Sequence, residues 1–209
     1  MTGRIIETID DVAEGAAWLA LRDEGMARAL DACGVPPLRR RADGFTALLQ
    51  AVVGQQVSTA SAAAIWGRME AAGLHEAAAV AAADDAALKA VGLSRPKIRY
   101  AQAIAASGLD FDALRDLPDK EVLARLVALP GIGPWTADVY ALSALGRADV
   151  FPSGDLALQE AARLLYALEA RPSAGEIAAM AAEWAPWRAV AARLLWAYYR
   201  VETKREGIT

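Results

Sequence analysis

Helical periodicity runs through almost the whole chain, and next to no segment has the alternating pattern of a half-buried strand. Alanine, the strongest helix former and a residue depleted from strands, recurs throughout. Only residues 4–9 have a weak strand-like pattern. Caps and breakers predict helices over 10–33, 45–54, 58–72, 84–91, 95–107, 119–128, 134–145, 155–168, 173–184 and 186–201. The sequence therefore predicts an all-α fold.

Charge and rare residues exclude several classes of protein. The chain of 209 residues has a formal net charge of −4, which excludes a binder that relies on bulk positive charge but not one with a small local footprint on DNA. With Cys33 as the single cysteine and His75 as the single histidine, no disulfide, four-cysteine iron–sulfur cluster or histidine-pair site can form within the chain. We see no signal peptide and no membrane-length apolar run, so we expect a cytoplasmic protein without a membrane partner.

The most informative segment is the stretch 129–137, where two glycines one residue apart lie between two predicted helices. Such a hairpin lets another molecule approach the backbone, and we expect the amides of Gly131, Gly133 and Thr136 to point outward. Free amides at a helix N-terminus attract anions, so this segment can bind a phosphate without many lysines. An ordinary helix–turn–helix corner is the alternative.

Five stretches together resemble the helix–hairpin–helix DNA glycosylase superfamily, and within it the DNA-3-methyladenine glycosylase II family. They are 45–58, 88–97, 129–137, 149–155 and 184–196, so the resemblance covers roughly residues 44–200 in the family's order. It implies an all-α bundle of two lobes with a DNA-binding cleft between them and a helix–hairpin–helix motif at 129–136. We expect residues 1–209 to form a single catalytic unit without a separate N-terminal mixed α/β domain.

The resemblance assigns the catalytic role to Asp155, which follows the loop 152–154 and opens a predicted helix. A carboxylate there would stabilise the oxocarbenium character of the sugar while the base leaves. From the residues alone, an aspartate at a helix start is more often an N-cap, and the two roles are compatible. Trp135 stands where lyase members of the superfamily carry a Schiff-base lysine, and no lysine lies between Lys120 and Lys204. We therefore expect hydrolysis without lyase activity.

Two tryptophans match family positions that stack on the extruded base, Trp135 and Trp196. On a helical wheel, Trp196 lies opposite the apolar stripe of its helix and beside Arg193 and Arg200, which favours a binding role. Packing against another helix is the alternative for Trp196, and Trp135 could equally be part of the core. The remaining tryptophans are interpreted as structural: Trp18, Trp66, Trp184 and Trp187.

The resemblance also assigns the DNA contacts. Gln56, with Gln55 beside it, stands at the position of the wedge that fills the gap left by the flipped base. Lys97 matches a phosphate contact, and Arg39–Arg41 form a second basic cluster that could equally be solvated. The carbonyl groups of Leu129 and Ile132 match those that hold a monovalent cation in family members. No cofactor is expected to be required, and no iron–sulfur cluster is expected.

These features predict a monomeric, monofunctional glycosylase that removes alkylated purines from damaged double-stranded DNA in base excision repair. A base alkylated on a ring nitrogen is cationic and leaves without an acid, which suits 3-methyladenine first and 7-methylguanine second. One alternative is a non-catalytic helix–hairpin–helix DNA-binding module. Another is a glycosylase for deaminated or oxidised bases, for which Asp138 is the obvious additional acid. Val139 replaces a pocket tyrosine of some relatives, with Tyr140 beside it.

Overall fold

The computed structural model describes residues 3–203, and every regular element within that range is a helix. Of the predicted strand at 4–9, only an isolated antiparallel bridge between Ile5 and Arg147 forms. The prediction of an all-α fold is confirmed. The α-helices are α1 (Ile9–Ala20), α2 (Glu24–Cys33), α3 (Phe45–Gly54), α4 (Thr59–Ala71), α5 (Ala77–Ala82), α6 (Asp85–Ala90), α7 (Arg95–Ala105), α8 (Asp119–Val127), α9 (Pro134–Ser143), α10 (Leu156–Leu165), α11 (Ala174–Met180) and α12 (Arg188–Thr203).

Residues 41–140 form one compact unit, in which α3 packs against α4 and α7. Leu48, Leu49 and Val52 recur at helical spacing on α3 and are fully buried, and the observed bounds of this helix equal the predicted ones. Two short elements were not predicted, α5 and the 3₁₀ turn Ala113–Asp116. Each is too short for its apolar residues to repeat over several helical turns, which is the signal that predicts a helix.

Residues 3–40 and 141–203 form the second unit, whose centre is α12. This helix packs against α1, α2 and α10. A Cβ atom on Gly15 would lie 2.6 Å from the ring of Trp187, so the absence of a side chain lets α1 approach the start of α12 closely. Trp184 and Trp187 are buried, in agreement with their interpretation as structural residues.

The predicted single helix 10–33 is wrong, because the chain breaks it into α1 and α2. Asp23 is the N-cap of α2 and accepts a hydrogen bond from the Met26 amide at 3.0 Å. Its other oxygen accepts from the Tyr166 hydroxyl and the Trp184 indole N–H. A capping aspartate competes with the helix backbone for hydrogen bonds, so it starts a new helix rather than continuing the old one.

Later helices also differ from the predicted bounds. The segment 173–184 changes from α-helix to a 3₁₀ turn at Ala181, and α12 begins at Arg188 rather than at Pro186. Within residues 3–203, no helix combines the length and the apolar character that a membrane span requires.

Candidate functional site

The hairpin between α8 and α9 is a tight turn in which the amide of Ile132 donates to the carbonyl of Leu129 at 3.1 Å. Gly131 has a φ of +82°, and a Cβ atom there would lie 2.4 Å from the ring of Tyr100. Any larger residue at this position would therefore be strained and would collide with a neighbour. Gly133 is different, since a Cβ there would meet no atom within 4 Å. The hairpin is closed on the side of Gly131 and open at Gly133.

The N-terminus of α9 follows directly on this open side. Its first backbone hydrogen bond runs from the Ala137 amide to the Gly133 carbonyl at 3.0 Å. Pro134 has no N–H, and Gly133 has no side chain that could act as a cap. Gly133 is exposed, whereas Thr136 is only 4% exposed. Of the three residues whose amides were predicted to bind phosphate, Gly133 is the exposed one.

Gln55 and Gln56 follow the last turn of α3 and point in different directions. The amide nitrogen Nε2 of Gln55 donates to the Gly131 carbonyl at 3.0 Å and lies 3.4 Å from Thr136 Oγ1. The prediction that Gln55 belongs to the wedge is therefore wrong, because its side chain is held on the hairpin. Gln56 is exposed, as a wedge must be, and has a φ of +56°, a conformation that costs about 1–2 kcal/mol for a residue with a Cβ.

Lys97 does not lie where a phosphate contact requires it. It is 9% exposed, and its ammonium donates to the carbonyl of Val53 at 2.7 Å. Val53 is in the last turn of α3, where carbonyl groups lack helical partners and a positive charge is favourable. Burial lowers the pKa of Lys97. The predicted phosphate contact is therefore wrong, and Lys97 caps the C-terminus of α3 instead.

Asp155 is the N-cap of α10 and is 3% exposed. Its Oδ1 accepts hydrogen bonds from the amides of Ala157 at 2.9 Å and Leu158 at 3.0 Å. The loop before it is held by a bond from the Gln159 side chain to the Ser153 carbonyl at 2.9 Å. Asp155 therefore has the N-capping role that the sequence predicts as its alternative role. The same contacts fix the carboxylate at the positive end of a helix, where a negative charge is stabilised.

The surroundings of Trp196 differ from those predicted by the helical wheel. Residues 189–195 of α12 are all buried, so the helix has no open face over its first two turns. Arg193, which lies beside Trp196 on the helical wheel, is 4% exposed. Trp196 and Trp135 are each half-buried, and the indole nitrogen of Trp196 is buried without a hydrogen-bond partner. The base-stacking role of both tryptophans stays a prediction.

Sequence reasoning missed the role of Arg193. Its guanidinium donates to the carbonyl groups of Leu38 at 3.2 Å, Ala189 at 3.1 Å and Leu142 at 3.2 Å. Burial, together with the nearby charges of Arg40 and Arg39, lowers its pKa to about 10. The residue therefore joins three segments of the second unit. In the sequence, the only related feature is the basic run Arg39–Arg41 that precedes α3. That run does not indicate that an arginine on α12 is buried near it.

Asp138 and Tyr140 lie on α9 after the hairpin and have separate roles. Tyr140 is buried, and its hydroxyl oxygen accepts from the Gly44 amide at 2.8 Å, so it fixes the start of α3. Burial raises the pKa of Tyr140 to about 12. Asp138 is half-buried, and burial raises the pKa of its carboxyl to about 7. Asp138 can therefore hold a proton near neutral pH, as an acid must.

The hairpin supplies hard oxygen ligands, and clustered side-chain ligands are missing. A carbonyl oxygen has two lone pairs, so that of Leu129 can accept the hydrogen bond of the turn and still face a cation. Within residues 3–203, no group of three histidine, cysteine, aspartate or glutamate side chains is arranged to hold a metal ion. The monovalent cation at the carbonyl groups of Leu129 and Ile132 stays a prediction.

Comparison with known proteins gives several relatives that are named as DNA repair enzymes or DNA-3-methyladenine glycosylases. The chain is 35% identical over 170 residues to a Mycobacterium tuberculosis protein named as a probable bifunctional transcriptional activator/DNA repair enzyme AlkA, which covers 75% of this chain and 34% of that protein. It is 29% identical over 161 residues to DNA-3-methyladenine glycosylase 1 of Schizosaccharomyces pombe, covering 73% of this chain and 71% of the relative. The chain thus spans about a third of the length of the Mycobacterium relative, and likewise of a Bacillus subtilis relative.

A solved structure agrees with these sequence matches. The crystal structure of a DNA-3-methyladenine glycosidase from Bacillus halodurans superimposes with a TM-score of 0.82 at 29% identity, covering 97% of this chain and 95% of that one. The family model for HhH-GPD superfamily base excision DNA repair proteins matches residues 49–186, which is more than half of the chain. The protein therefore belongs to the HhH-GPD superfamily of base excision DNA repair proteins.

Proposed function

We propose that this protein is a monofunctional DNA glycosylase that hydrolyses the N-glycosidic bond of alkylated purines, with 3-methyladenine first and 7-methylguanine second. The observation that carries the proposal is the Asp155 carboxylate, buried and fixed by two backbone amides at the start of α10. It stands at the position of the catalytic aspartate in the family that the sequence resembles. The names of the relatives support the same substrate class.

The reaction needs little help in releasing the base. A purine alkylated on a ring nitrogen carries a positive charge, so it takes the electron pair of the bond to C1′ and leaves as a neutral base. The sugar is left with oxocarbenium character, which the negative charge of Asp155 stabilises. Water then adds to C1′ and loses a proton, which gives an abasic site. The carboxylate supplies electrostatic stabilisation and orients the water.

Aromatic faces suit a cationic leaving base. An electron-poor purine ring is attracted by the π-face of tryptophan through stacking and cation–π interaction. Trp135 and Trp196 are the candidates, and each keeps part of its surface exposed. We assign each of them a role in stacking on the flipped base.

DNA binding is assigned to the hairpin and to the end of α3. The exposed amide at Gly133, at the N-terminus of α9, would donate to a phosphate, and the carbonyl groups of Leu129 and Ile132 would hold a monovalent cation that adds positive charge beside it. Gln56 would fill the gap in the duplex. This use of backbone groups explains how a chain with a net charge of −4 can bind a polyanion.

The proposal excludes a lyase step. That step needs an amine to attack C1′, and the family position for it is occupied by Trp135, with no lysine between Lys120 and Lys204. We expect borohydride to trap no covalent adduct between the protein and an abasic site. We also propose that the reaction requires no cofactor and that the active form is a monomer.

The test is to incubate the purified protein with methylated duplex DNA and to identify the released bases by chromatography. Release of free 3-methyladenine supports the proposal. Release of no base, together with binding of the same DNA, would instead identify a non-catalytic binding module.

One observation favours a wider range of lesions. A neutral deaminated or oxidised base leaves poorly unless an acid protonates it, and Asp138, with its pKa raised to about 7 by burial, keeps a proton near neutral pH. Duplexes with hypoxanthine test this second candidate. It requires that Asp138→Asn abolish release of hypoxanthine while release of 3-methyladenine continues.

A further inference from the structure

The side chain of Gln55 links two segments to which we assign different DNA contacts. One is the hairpin, and the other is the end of α3 that carries Gln56. The side-chain amide of Gln55 donates to the Gly131 carbonyl at 3.0 Å and lies 3.4 Å from Thr136 Oγ1. Gly131 belongs to the phosphate-binding hairpin, and Thr136 belongs to the first turn of α9. The residue after Gln55 is the exposed Gln56. We propose that Gln55 is a positioning residue, which holds the wedge in place by anchoring it to the hairpin.

The backbone shows why an anchor is needed here. Gln55 is the C-cap of α3 and has extended dihedral angles, and Gln56 then adopts a φ of +56°. A residue with a Cβ leaves this left-handed conformation readily unless its neighbours fix it. On one side, the Lys97 ammonium binds the Val53 carbonyl at 2.7 Å. On the other side, the Gln55 side chain binds the hairpin, so the chain is held immediately before Gln56.

The arrangement makes base extrusion depend on phosphate binding. When a phosphate is bound at the hairpin, the position of the Gly131 carbonyl sets the position of Gln55, and through it that of Gln56. Without the Gln55 contacts, the hairpin could still bind the backbone, but the wedge would no longer be held at a fixed distance from it. The loss should therefore appear in the step that separates a base pair and not in binding of the DNA backbone.

This inference rests on the proposed function, so the wild-type protein is measured first on two DNA duplexes. Both contain 7-methylguanine, in one case paired with cytosine and in the other in a single-base bulge, where no pair has to be opened. The variant is Gln55→Met, which keeps the length of the side chain and removes its hydrogen bonds. Gln50→Ala is the matched control, since Gln50 is an exposed glutamine on the same helix.

We expect Gln55→Met to slow single-turnover release from the paired duplex roughly 10-fold, the range expected when a positioning contact is lost. Release from the bulge, the affinity for abasic duplex and the Tm should match those of Gln50→Ala. In the background of Gln56→Ala, Gln55→Met should have little further effect, because the two residues act on one step.

Three results decide the matter. If the wild type releases no base from either duplex, the proposed function fails, whatever Gln55 does. If the wild type is active and Gln55→Met behaves like Gln50→Ala on the paired duplex, the inference is overturned. Equal losses on both duplexes, or effects of Gln55→Met and Gln56→Ala that simply multiply, would show a general structural role and would also overturn it.

Discussion

The N-termini of α9 and α10 differ in the residue that precedes the helix. At α10, the chain supplies an anion of its own, because Asp155 accepts two amide hydrogen bonds and is buried. At α9, the residue before the helix is Gly133, which has no side chain, and the first turn begins with a proline. The difference shows how one motif can serve two purposes. An N-terminus with a side-chain cap fixes a carboxylate for chemistry, and one that follows a glycine lets an anion approach from outside.

Substitution of Asp155 by asparagine should slow base release without destabilising α10. Asparagine caps helices as well as aspartate does, so Asp155→Asn should keep the fold but lose the negative charge. We expect single-turnover base release to fall about 100-fold, as for the loss of a group that stabilises transition-state charge. Binding of abasic DNA and the Tm should hardly change. Asp155→Ala should in addition lose about 1 kcal/mol of stability because the cap is gone.

An equal loss of binding and of base release in Asp155→Asn would contradict the catalytic assignment. Unchanged base release would contradict it as well, and it would leave Asp155 with the capping role alone.

The two hairpin glycines offer a matched pair of substitutions before the N-terminus of α9. A Cβ at Gly133 meets nothing within 4 Å in the protein, so Gly133→Ala should fold normally but obstruct a phosphate. We expect roughly 10-fold weaker binding of abasic DNA, equivalent to about 1.4 kcal/mol, with an unchanged Tm. Gly131→Ala should instead lower the Tm, because its Cβ would lie 2.4 Å from Tyr100 and its φ is +82°. If Gly133→Ala binds DNA like the wild type, the open terminus is not the phosphate site.

Residues with local roles were predictable from the sequence, and residues with distant partners were not. The bounds of α3 follow from the period of Leu48, Leu49 and Val52, and the cap at Asp155 follows from its place before an apolar helix. Asp23 is of a residue type that often caps helices, but the prediction of one helix over 10–33 did not take it into account. Gln55, by contrast, binds a residue 76 positions away, and no local pattern encodes that contact.

Lys97 and Arg193 illustrate the same limit for charged residues. Lys97 was expected to contact a phosphate, and the burial of Arg193 was not predicted, since charged side chains are rarely buried. Both are buried because they donate to backbone carbonyl groups at the ends of other elements. The number and position of such unpaired carbonyl groups depend on how helices meet, which the sequence does not state.

Because Lys97 is buried, we can test whether backbone amides bind the phosphate without an ionic contact from this lysine. For each lost ionic contact, the slope of log K against log salt for duplex DNA falls by about 0.9. Lys97→Met should leave this slope unchanged and lower the Tm, because the variant loses the cap on Val53 but no phosphate contact. Arg95→Gln, on the exposed start of the same helix, is the control that can change the slope. A reduced slope in Lys97→Met would restore the phosphate role.

The smallest expected effect is that of substituting Asp138. This is a second aspartate near a helix N-terminus and can be compared with Asp155. Asp138 lies inside α9 rather than at its cap, and burial raises its pKa from 3.8 to about 7. Between those two pH values the folded state binds more protons than the unfolded state, so Asp138 lowers stability as the pH rises through this range. An asparagine at this position does not titrate and would have no such dependence. Because the carboxyl is partly exposed and screened, we expect Asp138→Asn to raise the Tm at pH 8 by roughly 2–4 °C, which corresponds to about 1 kcal/mol in a chain of this size.

At pH 4 the Asp138 carboxyl is largely protonated in the folded protein and about half protonated in the unfolded one, so the gain in Tm should almost vanish there. Thermal unfolding of both proteins across this pH range measures the difference directly. A gain of the same size at both pH values would mean that the amide improves packing rather than removing a buried charge. In that case Asp138 would not hold a proton near neutral pH, and it would no longer be the candidate acid for the release of neutral bases.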